Sequence, residues 1–289
     1  MNLIIFGNGE RSIEVYRNLN IKNHNINGFI TVEKNYSFLQ QFIPKKLLIS
    51  LEDINNEEAI NNFLKLKPDL FIVAGFSQIF TKELLSIPKI GTINLHAGKL
   101  PKYRGGSPLN WQLINREEKA GISIILMDEG IDTGNILAED IFEIEKEDDI
   151  NSLHNKANKK FPKLVIEAIK ELEKGNKGIK QDESQAIYWH QRQEKDGEIN
   201  FKILNALDVQ YKIKALSPPY NGAWANLDGK KIIFTKSEIP KLKIKGTPGK
   251  VLFINKIGPY IICKDYAILI IRYNSKDIPY FKLRNNMYF

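Results

Sequence analysis

The amino-acid sequence predicts an α/β fold: a doubly wound, mostly parallel sheet followed by a small antiparallel β domain of the barrel-like, OB type. Three observations predict it. In the first half, short apolar runs that end at glycine alternate with segments of helical periodicity, as strands and crossover helices do in a parallel sheet. In the last third, short β-rich runs are separated by glycine and proline, the pattern of a small antiparallel barrel. Between them lies Gly175–Lys195, polar and without period. A chain of 289 residues favours two domains over one. The expected division is residues 1–178 for the α/β domain, 179–204 for a linker and 205–289 for the β domain.

Taken in order, Leu3–Phe6 is a first buried strand ending at Gly7-Asn8-Gly9, and Ile13, Val15, Tyr16 and Leu19 mark the helix after it. Asn27–Val32 reads as a second strand and Leu47–Ser50 as a third, before a helix over Asn55–Leu66. Asp69–Ala74 is the clearest buried strand, ended by Gly75; a helix around Thr81–Leu85 and a strand at Gly91–Leu95 follow. In Gly121–Met127, Ile122, Ile124 and Leu126 share one face, which is strand periodicity. Asp149–Glu173 is a long helical pattern closed by Gly175, and Pro162 is expected to kink or split it. A short helix from Ala206 leads to Ser217-Pro218-Pro219-Tyr220. Lys231–Phe234, Lys250–Ile254, Tyr260–Cys263 and Ala267–Ile271 then supply the antiparallel domain. Ligands of doubly wound sheets sit beyond the carboxyl ends of the strands, where Gly7, Gly75 and Asn94–Ala97 are expected to gather.

Composition excludes several classes. With 43% hydrophobic and 26% charged residues the chain is able to bury a real core. It has no apolar run long enough for a transmembrane helix, and Met1–Gly7 reads as a strand and not as a signal peptide. Cys263 is the only cysteine, so neither an intrachain disulfide nor a thiolate metal site can form, and a reducing cytoplasm is the expected location. The net charge of +8 admits a nucleic-acid partner or an anionic substrate. No dense Lys/Arg block stands out, however, so charge alone decides nothing.

The chemistry lies in Ile93-Asn-Leu-His-Ala-Gly-Lys-Leu-Pro-Lys-Tyr-Arg-Gly-Gly-Ser-Pro-Leu-Asn-Trp111 and in Gly121–Leu137. Residues two apart on a strand point the same way, so Asn94 and His96 can face one pocket. Asp132, on a loop bounded by Gly130 and Gly134, can reach that imidazole. The three would supply a neutral donor, a proton shuttle and an acid. An Asn-x-His alone is more often a strand end with a satisfied histidine, and His24, His154 and His190 keep that plain reading. Gly7-Asn8-Gly9 looks like part of a dinucleotide loop, but Ser12 stands where the third Gly or Ala belongs, so a backbone nest for a phosphate is expected there instead of NAD binding.

Asn94-Leu95-His96, Leu100-Pro-Lys-Tyr103-Arg-Gly105 and Asp128-Glu-Gly130-Ile-Asp132-Thr-Gly134, in that order, closely resemble the formyltransferases that use 10-formyltetrahydrofolate. Further similarity runs through Arg192–Ile199, Ala215–Trp224 and Thr247–Val251, covering essentially the whole chain. The resemblance implies catalysis by Asn94, His96 and Asp132, with 10-formyltetrahydrofolate as co-substrate and no metal. It implies that Phe76, Ser77, Gln78, Ile79, Gly130 and Ile131 hold the pterin, largely through main-chain atoms; Phe76 and Ile79 read equally well as plain core.

Three acceptor branches compete within that resemblance. The purine branch lacks the C-terminal barrel. The methionyl-tRNA branch usually carries an early basic loop, and in Glu33–Leu48 only Lys45 and Lys46 form a basic pair. That branch also tends to read Ser-Leu-Leu-Pro at Gly98–Pro101, whereas Asn110-Trp111 is similar to the sugar-nucleotide branch. The expected acceptor is therefore a UDP- or dTDP-linked amino sugar destined for surface polysaccharide such as O-antigen, with methionyl-tRNA the alternative and the one route to a nucleic-acid partner. Asn8, Gly9, Arg11 and Lys99 are candidates for the diphosphate, and Tyr220 and Trp224 for stacking on the base. Arg104 reads as structural. No membrane partner is expected, and the spare apolar residues of the C-terminal region leave room for a homodimer.

Overall fold

The computed structural model describes residues 1–21, 24–275, 277–278 and 280–289. In chain order the elements are β1 (Asn2–Gly7), α1 (Glu10–Ile21), β2 (Asn25–Thr31), α2 (Glu33–Leu39), β3 (Leu48–Ser50), α3 (Glu57–Leu66), β4 (Leu70–Ala74), α4 (Lys82–Leu85) and β5 (Gly91–His96). There follow β6 (Arg104–Gly105), α5 (Pro108–Ile114), β7 (Lys119–Leu126), β8 (Asn135–Glu143), α6 (Ile150–Glu173) and β9 (Tyr188–Trp189). The chain ends with α7 (Ala206–Leu216), β10 (Ala223–Leu227), β11 (Lys230–Glu238), β12 (Val251–Ile254), β13 (Gly258–Ile262) and β14 (Ala267–Ser275).

These elements form two compact units. The first comprises Met1–Pro108, Gly121–Phe142 and Asn155–Trp189; the second comprises Leu109–Ala120, Glu143–His154 and His190–Phe289. The first carries a seven-stranded sheet ordered β3-β2-β1-β4-β5-β7-β8. Its first five strands are parallel, whereas β7 runs antiparallel to β5, with His96 opposite Ser123. Strand order reverses between β1 and β4, and a doubly wound sheet opens its ligand crevice at such a switch point. The core beneath it is aromatic: the Phe6 ring meets Phe71, Phe80 and Phe63 edge-on at 5.0, 4.9 and 5.5 Å between centroids.

The second unit carries a five-stranded antiparallel sheet ordered β10-β11-β14-β13-β12, on which α7 packs through buried Val209, Ile213 and Leu216. Among the described residues no pairing joins the edge strands β10 and β12.

Two expectations need correction. Pro162 does not split the long helix: α6 is continuous over 24 residues, with Phe161, Leu164, Val165 and Ala168 buried on both sides of the proline, and that apolar stripe outweighs one missing amide donor. Within Glu33–Leu48 the chain winds into α2, whose Phe38 ring meets Phe42 edge-on at 5.3 Å. Residues 179–189, read as linker, are tied into the first unit: Ile179 bridges Ile136, and β9 pairs with β6. No helix of the described residues is long and apolar enough to cross a membrane.

Candidate active site

β5 supplies two of the three expected residues. Its buried Ile93 and Leu95 hold it in the sheet, and Asn94 and His96 emerge together near its carboxyl end. Asp132 comes from the loop after β7, at φ 53°, a left-handed conformation that aspartate tolerates better than most residues.

The Asp132 carboxylate is the hub of the cluster. Its Oδ2 accepts the Gly105 N–H at 2.9 Å and lies 3.4 Å from His96 Nδ1; its Oδ1 lies 3.4 Å from the donating Asn94 Nδ2. Neither acidic nor basic partner is open to bulk water, with side chains 5% exposed for His96 and 13% for Asp132. His96 Nε2 lies 2.5 Å from the carbonyl oxygen of Tyr103. A carbonyl oxygen only accepts, so Nε2 carries a proton and Nδ1 is the nitrogen that faces the acid. A second proton on Nδ1 would turn the 3.4 Å approach into an ion pair. The cluster is thus able to hold, and release, one proton between imidazole and carboxylate.

Two glycines and one buried arginine shape the cluster. A Cβ at Gly98 would stand 2.5 Å from His96 Nε2 and 2.7 Å from the Tyr103 carbonyl. Gly105 (φ 91°) lies directly under the Trp189 carbonyl, which leaves no room for a side chain and aims its N–H at Asp132. Arg104, read from the sequence as structural, is wholly buried. It donates to both Glu183 carboxylate oxygens at 2.7 and 2.8 Å, to Gln181 Oε1 at 3.0 and 3.1 Å and to the Tyr188 hydroxyl at 2.8 Å. Glu183 raises the Arg104 guanidinium above its ordinary value despite burial, and Arg104 in turn holds the Glu183 carboxyl below the usual range.

The residues expected to hold a pterin lie on two loops of the first unit joined by the Lys82–Glu129 salt bridge at 2.8 Å. Phe76 is partly buried, its ring edge-on to Phe6 at 5.7 Å. Ile79 is not core: it is 84% exposed, and Ile131 is 66% exposed. The Gln78 amide is occupied within the protein, accepting from Ile54 N and donating to Glu52 O; Ser77 and Gly130 are exposed. Ile79 and Ile131 are both large apolar side chains left on the surface, and full burial of either would be worth about 1.5–3 kcal/mol.

The acceptor-side candidates divide between the two units, with Asn8, Gly9, Arg11 and Lys99 in the first and Tyr220 and Trp224 in the second. Asn8 Oδ1 accepts from Thr31 Oγ1 at 3.0 Å, and Gly9 leads into α1. Arg11 is not a solvated helix residue: its guanidinium donates to Asn158 Oδ1 and Leu95 O and lies 4.6 Å from the Phe161 ring centre. Lys99 is exposed. Tyr220 and Trp224 belong to the second unit, where the Tyr220 hydroxyl lies 3.0 Å from His154 Nε2 and Trp224 Nε1 donates to Glu194 O under the Lys231 amine. Asn110, also there, is buried and donates to Ala215 O at 2.6 Å.

Sequence reasoning missed Gln181, Gly98 and the backbone groups of Tyr103 and Gly105. The glycines within Ala97–Gly106 were the available signal; nothing in a polar stretch distinguished Gln181.

The formyl transferase family model matches residues 2–169, and the model of the formyl transferase C-terminal domain matches residues 192–279. A methionyl-tRNA formyltransferase of Clostridium tetani is 35% identical over 254 residues, 87% of this chain and 78% of that protein. The bifunctional polymyxin resistance protein ArnA of Wigglesworthia glossinidia brevipalpis is 36% identical over 228 residues, 76% of this chain and 33% of that protein. Among solved structures, an N-formyltransferase of Helicobacter canadensis in complex with folinic acid and dTDP-3-aminofucose superposes with a TM-score of 0.68 at 19% identity, covering 93% of this chain and 98% of that one.

Proposed function

The chain belongs to the formyl transferase family and is an N-formyltransferase, and from that premise we propose that it moves a formyl group from 10-formyltetrahydrofolate to the amine of a nucleotide-linked amino sugar. The folate supplies an activated formyl carbon. The protein's task is to stabilise charge on the formyl oxygen, to take a proton from the attacking amine and to return one to the leaving nitrogen.

Asn94 presents an amide donor for that oxygen; losing one such preset donor costs about 3–4 kcal/mol of transition-state stabilisation in comparable sites. His96 is the relay, since imidazole both gives and takes protons near neutral pH. With Nε2 committed to Tyr103, the Nδ1–Asp132 pair is what takes the proton lost by the attacking amine and passes one to the leaving nitrogen. Asp132 holds the ring's orientation. Ile79 and Ile131 pack on the pterin, helped by the main chain of their two loops. The reaction is placed in the cytoplasm, and its product feeds surface-polysaccharide assembly.

One observation carries the choice of acceptor. Where the tRNA branch has a basic loop, this chain builds α2, an element opened by Glu33 and packed through the Phe38–Phe42 pair, with the Arg17 guanidinium over Phe42 at 5.2 Å. The 36% identity to ArnA supports the same side. The competing reading, methionyl-tRNA, draws on the 35% identity to the Clostridium tetani enzyme over most of both chains and on the net charge of +8.

A formylation assay offering UDP- and dTDP-linked 3-amino and 4-amino sugars beside methionyl-tRNA tests the choice. Faster turnover of a sugar nucleotide, little affected by salt, is expected. Faster and steeply salt-dependent turnover of the tRNA would overturn the acceptor while leaving the donor in place.

A further inference from the structure

We propose that Gln181 is a positioning residue for catalysis, the first residue of a strap (residues 181–189) that sets the distance between Asp132 and His96. The proposal rests on the reading of those two residues as the catalytic pair. Gln181 is 5% exposed and uses every hydrogen-bonding capacity of its amide. Its Nε2 donates to the carbonyls of Asp132 and Gly134 at 2.8 and 2.7 Å, while its Oε1 accepts twice from Arg104 at 3.0 and 3.1 Å. Only this orientation of the amide satisfies all four partners.

The strap reaches both sides of the cluster. On the acid side, Gln181 pins the carbonyls of Asp132 and Gly134, so the left-handed conformation at Asp132 is held by a distant segment of the chain. On the same side, β9 pairs with β6, and Trp189 O accepts from Gly106 N at 2.9 Å, which fixes Gly105 beneath Asp132. On the base side, the Trp189 indole stacks on Tyr103 at 5.7 Å between centroids and an interplanar angle of 10°, and its Nε1 donates to Lys102 O at 3.0 Å. Tyr103 is the residue whose carbonyl accepts the hydrogen bond from His96 Nε2. Arg104 lies between the two sides and joins them, donating to Gln181, Glu183 and Tyr188. Displacing the strap moves the acid and the base independently. The 3.4 Å between them is then lost.

Gln181→Glu is the discriminating variant. It is nearly isosteric and keeps an acceptor for Arg104, but it turns an oxygen toward the two carbonyls and releases the Asp132 loop. Gln181→Met, which loses both sets of bonds, is measured beside it, so that one variant reports if the other does not fold. We expect kcat to fall by about tenfold to a hundredfold in both, since a displacement of about 1 Å suffices for such a loss. KM for donor and acceptor should stay within about twofold of the native enzyme, and Gln181→Glu should melt within a few degrees of it. A native kcat per folded molecule, or a change confined to KM, would overturn the proposal. His96→Ala in the same assay separates the levels. If His96→Ala is inactive and the Gln181 variants are native in rate, the strap proposal alone falls; if His96→Ala turns over normally, the catalytic assignment falls and takes this one with it.

Discussion

His96 and Gly98 lie so close that no side chain fits between them, with a Cβ at position 98 falling 2.5 Å from His96 Nε2. The glycine's lack of a side chain is therefore part of how the imidazole is aimed. Gly98→Ala should push the ring off the Tyr103 carbonyl and lower kcat about tenfold or more. Steady-state kinetics beside a thermal melt checks this: a native rate would show that the ring's seat does not matter.

Asp132→Asn keeps the size of the side chain and an oxygen for the Gly105 N–H, but removes the charge beside Nδ1. A drop in kcat of about 10²-fold or more is expected, because general acid–base groups contribute on that scale. The donor's KM should change little.

Much of this was legible in the sequence, for a physical reason. Buried strands such as Leu70–Ala74 read as continuous apolar runs, and the period-two spacing of Asn94 and His96 on a strand end brings both to Asp132. Asp132 was legible from its glycine-bounded loop. Helix α2 was not, since its apolar face consists of little beyond Tyr36, Phe38 and Leu39 in a polar stretch. Gln181 and Glu183 were hidden because their meaning comes from Arg104, 77 and 79 residues away. Arg11 shows the same limit: a helix residue of unremarkable context is fixed by Asn158 and Phe161 of α6.

Glu183 offers a pH test of the strap. Arg104 lowers its folded-state value, so its stabilisation is complete above the unfolded carboxylate range and is lost as pH falls through the lowered folded value. The difference in melting temperature between the native protein and Glu183→Gln should be constant at about pH 6–8 and shrink below about pH 4. A difference that persists undiminished at low pH would mean that the carboxylate charge is not what holds Arg104.

Ile79 and Ile131 are large apolar side chains left on the surface. If a pterin covers them, replacing either by serine should raise the donor's KM about tenfold, the loss of part of a buried isoleucine. The limiting kcat should hold. An unchanged donor KM would place the folate elsewhere.

The imidazole at the end of β5 is the group on which formyl transfer depends most directly. Formyl transfer by His96→Ala, followed at saturating folate donor and saturating amino-sugar nucleotide, should be slower than native by about 10²–10⁴-fold with the protein still folded. Turnover within about threefold of native would contradict it.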